Sequence, residues 1–455
     1  MMKKYFLLLV LAFSVALAAG NPKYIFLFIG DGMALPQRMT AEEFSVKNNM
    51  GKLLINHMEY SGEARTSSAN QVVTDSAAAG TALACGEKTN NCRIGMSADG
   101  KRKLESVAAL AKKKGKKVGI LSSVTINHAT PASFYGHRLT RGQYYELGLD
   151  LIDSNFDYFG GGGFSGNLND RRIKRMQKEG KKVPAYYKGD LLELVKKAGY
   201  TVAVGKEGLA ELKPGAGKVF ACGHPEATLG YVLDKRKGIP TLADYTRKGI
   251  ELLDNPNGFF MMVEGGAVDW RGHANDAAGN MHEVIALDKA VAVAFEFAAK
   301  HPGETLIVVT GDHETGGMTR GFAGSGHKID VDVLGRQTRT VDHFNYQMKA
   351  LRKKKKDLTF EDTKELLTKC FGFEFSGSGK MSINEKELET LQKGFNAKKL
   401  GNAARQVISA KAGISWSTGG HTALPVLTTA SGCKAELFKG SYENSDISLK
   451  LKSLL

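Results

Sequence analysis

The segment Tyr24-Ile-Phe-Leu-Phe-Ile-Gly-Asp-Gly32 is an apolar run followed directly by an aspartate between two glycines. Residues 24–29 carry no charged side chain, which is typical of a strand buried on both faces of a parallel sheet. Similar runs occur at residues 117–124, 200–204, 218–222, 258–263, 305–310 and 425–429, and helical patterns occur at 104–114 and 281–300. This alternation predicts an α/β fold, a three-layer sandwich with a mostly parallel central sheet covered by helices on both faces.

Four of these predicted strands run into side chains that can bind metal ions. Ligands of parallel sheets bind beyond the carboxyl ends of the strands, so we expect these side chains to lie close together. Each alone also fits a simpler reading, because an aspartate beside glycine is common in turns. The side chains are Asp31 after 24–29, His128 and Thr130 after 117–124, Glu264 after 258–263, and Asp312 and His313 after 305–310.

Asp269 and His273 stand four residues apart, which on a helix puts both side chains on one face. Such a pair can bind one zinc ion through a carboxylate and an imidazole, although it also occurs as an ordinary surface pair. Glu264, a short distance upstream, offers a carboxylate for a second, harder cation.

Asp75 and Ser76 precede a run of small residues that predicts the start of a closely packed helix. The simpler interpretation of this pair is a helix N-cap. Beside a zinc ion, however, a hydroxyl in the positive potential of a helix N-terminus would be a suitable nucleophile.

Five segments together resemble the alkaline phosphatases. They follow the family order and cover most of the chain outside residues 322–415. The segments are Lys23-Tyr-Ile-Phe-Leu-Phe-Ile-Gly-Asp-Gly-Met33, Val73-Thr-Asp-Ser-Ala-Ala-Ala-Gly-Thr-Ala82, Asn127-His-Ala-Thr-Pro-Ala132, Val263-Glu-Gly-Gly-Ala-Val-Asp269 and Val309-Thr-Gly-Asp-His-Glu314.

The resemblance implies two Zn²⁺ and one Mg²⁺ per subunit. The implied ligands are Asp269, His273 and His421 for one zinc ion, Asp312, His313 and Asp31 for the other, and Asp31, Thr130 and Glu264 for magnesium.

The resemblance also implies that Ser76 is the nucleophile and that Arg141, oriented by Asp75, binds the substrate phosphate. His128 and Trp270 stand near magnesium and phosphate, at positions where certain bacterial members carry Asp and Lys. Loss of that carboxylate and that cation predicts weaker binding of the third metal ion and faster product release.

The implied activity is hydrolysis of small phosphate monoesters by a homodimer. One alternative is a phosphodiesterase or sulfatase of the same metal-hydrolase superfamily. Ser76-Ala-Ala78 lacks the Cys/Ser-x-Pro-x-Arg context that sulfatases need. A second alternative is a non-enzymatic exported protein that binds phosphate or zinc, and the intact Ser76 and ligand set disfavour it.

Lys3 and Lys4 precede an apolar run that ends in small residues, and this pattern predicts a signal peptide at residues 1–19. The run is shorter than the roughly 18–20 residues of a membrane-spanning helix. We therefore expect a periplasmic or extracellular mature chain, residues 20–455, without a membrane span.

The formal net charge of +16 is concentrated in Lys-rich stretches such as residues 112–117 and 353–356, which are typical of solvated surfaces. No basic motif interleaved with aromatic residues indicates nucleic-acid binding. In an exported chain, five cysteines allow at most two disulfides, and Cys85 with Cys92 is the first candidate pair.

Residues 322–415 are Lys-rich and helical in pattern, and we interpret them as an insertion between two parts of the site. Within them, residues 374–385 loosely follow a calcium-binding loop. Only Glu374 and Glu385 supply carboxylates at its ligand positions, fewer than a working loop usually carries.

Overall fold

The computed structural model describes residues 20–234 and 236–455. In that part of the chain, the strands are β1 (Tyr24–Gly30), β2 (Tyr60–Arg65), β3 (Lys117–Ser122), β4 (Tyr158–Gly161), β5 (Tyr200–Val204), β6 (Lys218–Cys222), β7 (Phe259–Gly265), β8 (Thr305–Gly311), β9 (Glu314–Thr315), β10 (Met318–Arg320), β11 (Ile414–Trp416), β12 (His421–Thr422), β13 (Val426–Gly432) and β14 (Gly440–Glu443).

The α-helices of the same residues alternate with these strands. They are α1 (Leu35–Lys47), α2 (Ser76–Cys85), α3 (Val107–Lys113), α4 (Ala129–Ala132), α5 (Tyr144–Ser154), α6 (Asp170–Lys178), α7 (Leu191–Lys197), α8 (Gly205–Glu211), α9 (Leu242–Leu253), α10 (Ala267–His273), α11 (Ala277–Ala298), α12 (Val341–Lys354), α13 (Lys364–Phe371), α14 (Glu385–Asn396), α15 (Leu400–Lys411) and α16 (Asn444–Ser453).

Ten strands form one central sheet in the order β14-β2-β13-β8-β1-β7-β3-β4-β6-β5. All neighbouring pairs are parallel except those of β13, which runs antiparallel to β2 and β8. The predicted α/β class with a mostly parallel sheet is therefore confirmed.

Strand β1 lies inside the sheet and is buried along its whole length. Its alternate residues enter two separate cores, with Phe26 and Phe28 on one side and Leu27 and Ile29 on the other. Helices α1, α9 and α11 cover the first side, whereas α2, α3 and α16 cover the second. Burial on both faces explains why this strand reads as an unbroken apolar run.

Three strands of the sheet, β2, β4 and β14, were not expected from the sequence. In β2 only Ala64 is buried, so the strand has no apolar run. Strand β4 has four residues, two of them glycines, and β14 is a four-residue strand at the sheet edge. Short or half-exposed strands of this kind give little periodic signal.

Residues 322–415 contain helices α12 to α15 and, among the described residues, contribute no strand to the central sheet. Phe344, Leu367 and Val407 from these helices share one hydrophobic core with α11. The boundaries of the insertion stay a prediction. The loop between α13 and α14 joins Glu374 to Ser382 by a parallel bridge.

The expected disulfide between Cys85 and Cys92 is wrong, since both residues are free thiols. Cys85 is buried at the end of α2, and its Sγ lies 3.8 Å from the carbonyl oxygen of Leu104. Cys92 is exposed and has a φ of +72°, in a turn outside the core. The turn between them therefore points the two thiols into different environments.

The predicted signal peptide, residues 1–19, lies outside the described residues. Within residues 20–234 and 236–455, no helix has the length and apolar character needed to cross a membrane.

Gly32 allows the turn after β1 to pass close to α10. Its φ is +69°, a left-handed conformation that favours glycine. A Cβ at this position would lie 2.9 Å from Cα of Asp269. The Gly32 N–H donates to Oδ1 of Asp312 at 3.0 Å, so the turn also holds a predicted ligand.

Gly32→Ala should destabilise the protein by about 2–4 kcal/mol, because it adds left-handed backbone strain and a clash with backbone atoms. Gly303→Ala is the matched control, since Gly303 has a φ of +76° and open space around its Cα. The free energy of unfolding of the control should fall by only about 1–2 kcal/mol, because Gly303→Ala adds backbone strain without a clash. Urea denaturation of both variants measures the difference, and equal losses would contradict the close approach at Gly32.

Candidate active site

Strands β8, β1 and β7 are neighbours in the sheet, and their carboxyl ends lie level with one another. Gly30 of β1 lies opposite Gly265 of β7 on one side and Gly311 of β8 on the other. The chain therefore leaves all three strands at the same level. This register places Asp31 and Asp312, each one residue beyond its strand, side by side.

Asp269, His273 and His421 form one group of ligand atoms. Nε2 of His273 lies 3.4 Å from Oδ2 of Asp269 and 3.2 Å from Nε2 of His421. Nε2 of His421 lies 3.6 Å from Oδ1 of Asp269. Ligand atoms about 2.0–2.1 Å from a tetrahedral zinc ion lie about 3.3 Å apart, so the three atoms fit one face of such a site.

Two backbone carbonyls hold the imidazoles of this group in the tautomer that a metal needs. Nδ1 of His273 lies 2.7 Å from the oxygen of Gly419, and Nδ1 of His421 lies 2.8 Å from the oxygen of Thr74. A carbonyl can only accept, so each Nδ1 carries the proton. Both Nε2 lone pairs therefore face the same point, as in metal sites with oriented histidines.

Asp31, Asp312 and His313 form a second group, and all three are fully buried. Nε2 of His313 lies 3.4 Å from Oδ1 of Asp31 and 3.5 Å from Oδ2 of Asp312. These separations also match the edges of a zinc coordination polyhedron. The first group is more open, since the His273 side chain is 41% exposed.

Thr315 connects the two groups, and nothing in the sequence pattern pointed to it. Its hydroxyl donates to Oδ1 of Asp269 at 2.5 Å. The hydroxyl therefore accepts from Nδ1 of His313, 3.2 Å away, which leaves the His313 Nε2 lone pair towards the site. The neighbouring Glu314 accepts from Gln37, Gly317 and Thr422 and so helps to hold β9 against its antiparallel partner β12.

A third group contains Asp31, Glu264 and His128, with Thr130 next to it. Thr130 Oγ1 lies 3.5 Å from Oδ2 of Asp31. Within the described residues, Oδ1 of Asp31, Oε1 of Glu264 and Nδ1 of His128 are buried and have no hydrogen-bond partner. Buried polar atoms rarely stay unsatisfied, so a ligand in their midst is expected.

The crowded carboxylates change the protonation of this region. Burial, with the neighbouring carboxylates, raises the pKa of Asp312 to about 8 and that of Glu264 to about 7. Burial and the charge of Asp312 raise the pKa of Asp31 well above its ordinary range. A cation must therefore displace protons near neutral pH, and metal affinity should rise as the pH rises through 7 to 8.

Ser76 is the first residue of α2 and is 1% exposed. Its Oγ lies 3.2 Å from Nε2 of His313, so the hydroxyl faces the second ligand group. Asp75 is the N-cap and accepts from the N–H of Ala78 at 3.0 Å. The helix-cap interpretation is thus correct for Asp75, and it coexists with the position of Ser76 beside the ligands.

Arg141 lies over the same helix start. Its Nη1 donates to Oδ2 of Asp75 at 3.2 Å, and its Nη2 lies 3.2 Å from Nε2 of His128. Burial and the nearby Arg141 lower the pKa of His128 to about 3, so its ring is neutral and accepts this bond. Trp270 meets the His128 ring edge to face, with centroids 5.9 Å apart.

The sequence model of the alkaline phosphatase family matches residues 22–455 of this chain. The chain belongs to the alkaline phosphatase family. Alkaline phosphatase 3 of Bacillus subtilis is 31% identical over 442 residues, which cover 93% of this chain and 87% of that protein. Streptomycin-6-phosphate phosphatase of Streptomyces griseus is 29% identical over 331 residues. That alignment covers 64% of this chain and 73% of the Streptomyces protein.

Solved alkaline phosphatases share the fold of this enzyme. The cold-active alkaline phosphatase of a psychrophilic Shewanella superposes with a TM-score of 0.78 at 28% identity, covering 95% of this chain and 99% of the other. The enzyme of the Antarctic bacterium TAB5 has been solved as a histidine-to-glutamate variant with magnesium bound in its M3 site. That structure matches with a TM-score of 0.65 at 27% identity, covering 96% of this chain and 98% of the other.

This alkaline phosphatase is a hydrolase of phosphate monoesters, and its family depends on metal ions. The structure brings the predicted ligands into three adjoining groups, with Ser76 and Arg141 beside them. The sequence did not indicate Thr315, nor the carbonyls of Thr74 and Gly419, because their role depends on where loops pass.

Thr315→Val should weaken zinc binding about 10- to 100-fold, the usual cost of losing a group that orients metal ligands. The variant leaves Asp269 without a donor and frees His313 to take the wrong tautomer. Thr315→Ser keeps the hydroxyl and is the control. Competition with a zinc-binding dye would measure both affinities, and a Val variant that binds zinc like the Ser variant would contradict the role of Thr315.

Proposed function

We propose that this enzyme transfers the phosphoryl group of small monoesters to Ser76 and then to water, with two zinc ions and one magnesium ion bound at the three ligand groups. The observation that supports it most is the pair Asp75–Ser76. Asp75 holds Arg141, and Ser76 points its Oγ at the second ligand group. Of these two consecutive residues, Ser76 supplies the nucleophile and Asp75 positions the guanidinium that binds the phosphate.

The donor sets favour this distribution of metals. The groups of His273 and of His313 combine imidazole and carboxylate, which suits zinc. The third group, with Asp31, Thr130 and Glu264, offers mainly oxygen, which suits magnesium. When bound, the zinc ions would supply positive charge at the attacking and leaving oxygens, and magnesium would stabilise the carboxylates beside them.

The first chemical step forms a bond between Ser76 Oγ and phosphorus while the ester P–O bond breaks. The alcohol leaves with the ester oxygen and takes up a proton. The more exposed group at His273 is the exit for this alcohol, because the Ser76 side of the site is buried. Water then attacks phosphorus, the Oγ–P bond breaks, and inorganic phosphate leaves as Ser76 regains its proton.

Arg141 binds and orients the phosphoryl group during both steps. A guanidinium can donate to two non-bridging oxygens in parallel. Its contact with Asp75 fixes the fork next to Ser76, while its contact with the neutral His128 leaves the positive charge available to the substrate.

Because Nε2 of His128 accepts from Arg141, its Nδ1 carries the proton, so His128 turns an N–H towards the magnesium group where a carboxylate would offer an oxygen ligand to a hard cation. The TAB5 variant with magnesium in its M3 site, in which a glutamate replaces a histidine, supports this reading. We propose that magnesium is held less tightly here than it would be beside an aspartate.

We further propose that residues 1–19 direct export, that the mature enzyme works in the periplasm or outside the cell, and that it is a homodimer. The N-terminal pattern supports export, and family resemblance supports the dimer. N-terminal sequencing of the secreted protein and sedimentation analysis would test these two points.

Ser76→Ala should abolish the phosphoenzyme and lower turnover by at least about 100-fold, as expected when a covalent nucleophile is removed. Zinc content should remain unchanged, because the zinc groups keep their side-chain ligands. Acid quenching with ³²P-labelled substrate and peptide mapping should find the label on Ser76 of the wild type. Label on another residue would refute the nucleophile.

Arg141→Ala should lower kcat/KM for a phosphate monoester roughly 30-fold to several thousand-fold. This corresponds to a loss of about 2–5 kcal/mol of transition-state stabilisation. Arg141→Lys should also lose activity, because an ammonium cannot donate through a planar fork. The kcat/KM for the methyl diester of the same alcohol should fall much less, since the diester has only two non-bridging oxygens and one negative charge. Equal losses on both esters would contradict selection of monoesters by Arg141.

A further inference from the structure

Residues 90–93 form a tight turn, with Asn91 and Cys92 at its centre, against the segment that leads into α2. The N–H of Arg93 donates to the carbonyl oxygen of Asn90 at 3.2 Å and closes the turn. We call it the Asn91–Cys92 turn. Neither central residue belongs to a ligand group of the described chain.

The main chain of Cys92 joins the two residues that face the substrate phosphate. Its N–H donates to Oδ1 of Asp75 at 3.1 Å, and its carbonyl oxygen accepts from the main-chain N–H of Arg141 at 2.7 Å. Asp75 and Arg141 also bond to each other, through Oδ2 and Nη1 at 3.2 Å. The three residues therefore form a closed ring of hydrogen bonds, in which Cys92 holds both members of the Asp75–Arg141 pair.

This ring decides which oxygen of Asp75 faces the guanidinium. Oδ1 accepts from the N–H groups of Ala78 and Cys92, at 3.0 and 3.1 Å. These two donors leave Oδ2 for Arg141. A rotation of the carboxylate would give up both N–H bonds, so the guanidinium is held at one position beside Ser76.

Asn91 fixes the chain immediately before the nucleophile. Its Oδ1 accepts from the N–H of Asp75 at 3.2 Å, and its Nδ2 donates to the carbonyl oxygen of Val73 at 3.1 Å. The main-chain N–H of Asn91 donates in turn to Oδ1 of Asn70 at 2.9 Å. The amide of Asn91 thus ties the chain at two points within the three residues that precede Ser76.

Cys92 has an unfavourable backbone conformation in this turn. Its φ is +72°, in the left-handed region that favours glycine. Backbone strain of this kind persists only where surrounding contacts hold it, and it is concentrated at functional sites. Burial and the charge of Asp75 raise the pKa of the Cys92 thiol, so the thiol is uncharged at neutral pH. The contacts to Asp75 and Arg141 come from the main chain of Cys92, and its side chain adds no charge beside them.

We propose that Cys92 and Asn91 are positioning residues, which hold Arg141 in the orientation that binds the phosphoryl group beside Ser76. This role rests on the proposed function of Arg141 as the residue that binds the phosphate. Cys92 acts through its N–H and carbonyl on Asp75 and Arg141, and Asn91 holds the turn against the start of α2. Because both act through Arg141, their substitution should weaken phosphate binding rather than remove the nucleophile.

Inhibition by inorganic phosphate measures this positioning, because phosphate needs the fork of Arg141 and has no leaving group. Cys92→Val should raise the inhibition constant of phosphate at least about tenfold, since a β-branched residue disfavours a positive φ and the turn must open. The kcat/KM for a monoester should fall by a similar factor, and that for its methyl diester much less.

Cys92→Gly is the conservative variant at the same position. Glycine keeps the N–H and the carbonyl and adopts a φ of +72° without strain. The inhibition constant of this variant should therefore stay within about twofold of the wild-type value.

Asn49→Val is the matched control for backbone strain. Asn49 has a φ of +58° in the exposed turn after α1, and none of the ligand groups among the described residues includes it. The substitution puts a β-branched residue into the same backbone region. It should lower stability without changing the inhibition by phosphate.

Asn91→Ala tests the turn without adding strain. It keeps the main chain of the turn and removes the two side-chain bonds to Asp75 and Val73. The inhibition constant of phosphate should rise about three- to tenfold, the usual effect of losing such hydrogen bonds.

Combination with Arg141→Ala separates positioning from general damage. If Cys92 acts through Arg141, phosphate should inhibit Arg141→Ala and Arg141→Ala/Cys92→Val equally, within about twofold. A further loss of about tenfold in the absence of Arg141 would overturn the proposal. An inhibition constant of Cys92→Val that matches the wild type would overturn it as well. If circular dichroism shows that Cys92→Val is unfolded, Asn91→Ala in the same two backgrounds decides by the same criteria.

Arg141→Ala alone tests the proposed function on which the positioning role rests. If phosphate inhibits Arg141→Ala as strongly as the wild type, both the phosphate-binding role of Arg141 and the positioning role are wrong. If Arg141→Ala weakens phosphate inhibition but Cys92→Val does not, only the positioning role is wrong.

Discussion

Four carboxylates of this enzyme, Asp31, Glu264, Asp269 and Asp312, are each at most 3% exposed and lie in adjoining ligand groups. Removing such groups from water disfavours their charged forms, and their mutual repulsion adds to this cost. Arg141 is the cation at the rim, and one guanidinium does not balance four carboxylates. The four carboxylates can therefore all be ionised together only when cations are bound among them. The surrounding residues hold the side chains in positions that suit those cations.

The parallel sheet produces this concentration of charge. Because β1, β7 and β8 end in register, ligands that are far apart in sequence reach one edge together. Around them, acceptors with fixed positions orient the imidazoles: the carbonyls of Thr74 and Gly419 and the hydroxyl of Thr315. The protein thus presents lone pairs at set points, as pre-organised metal sites require.

Much of this arrangement could be predicted from the sequence. The apolar run at β1 indicated a strand buried on both faces, and the rule for parallel sheets then placed Asp31 and Asp312 at one edge. Thr315 could not be predicted, because its role arises from β9, a two-residue strand that pairs with the distant β12 and lies between two ligand groups. Cys85 and Cys92 were paired wrongly, since proximity in sequence does not show where a turn directs each thiol.

The central claim is that the imidazole and carboxylate groups at this sheet edge hold two zinc ions next to Ser76. Anomalous diffraction at the zinc absorption edge, from crystals of the zinc-loaded enzyme, tests it most directly. The account predicts two zinc peaks about 3.5–4 Å apart, one among Asp269, His273 and His421 and the other among Asp31, Asp312 and His313. A single peak, or zinc bound only at residues outside these two groups, would contradict it.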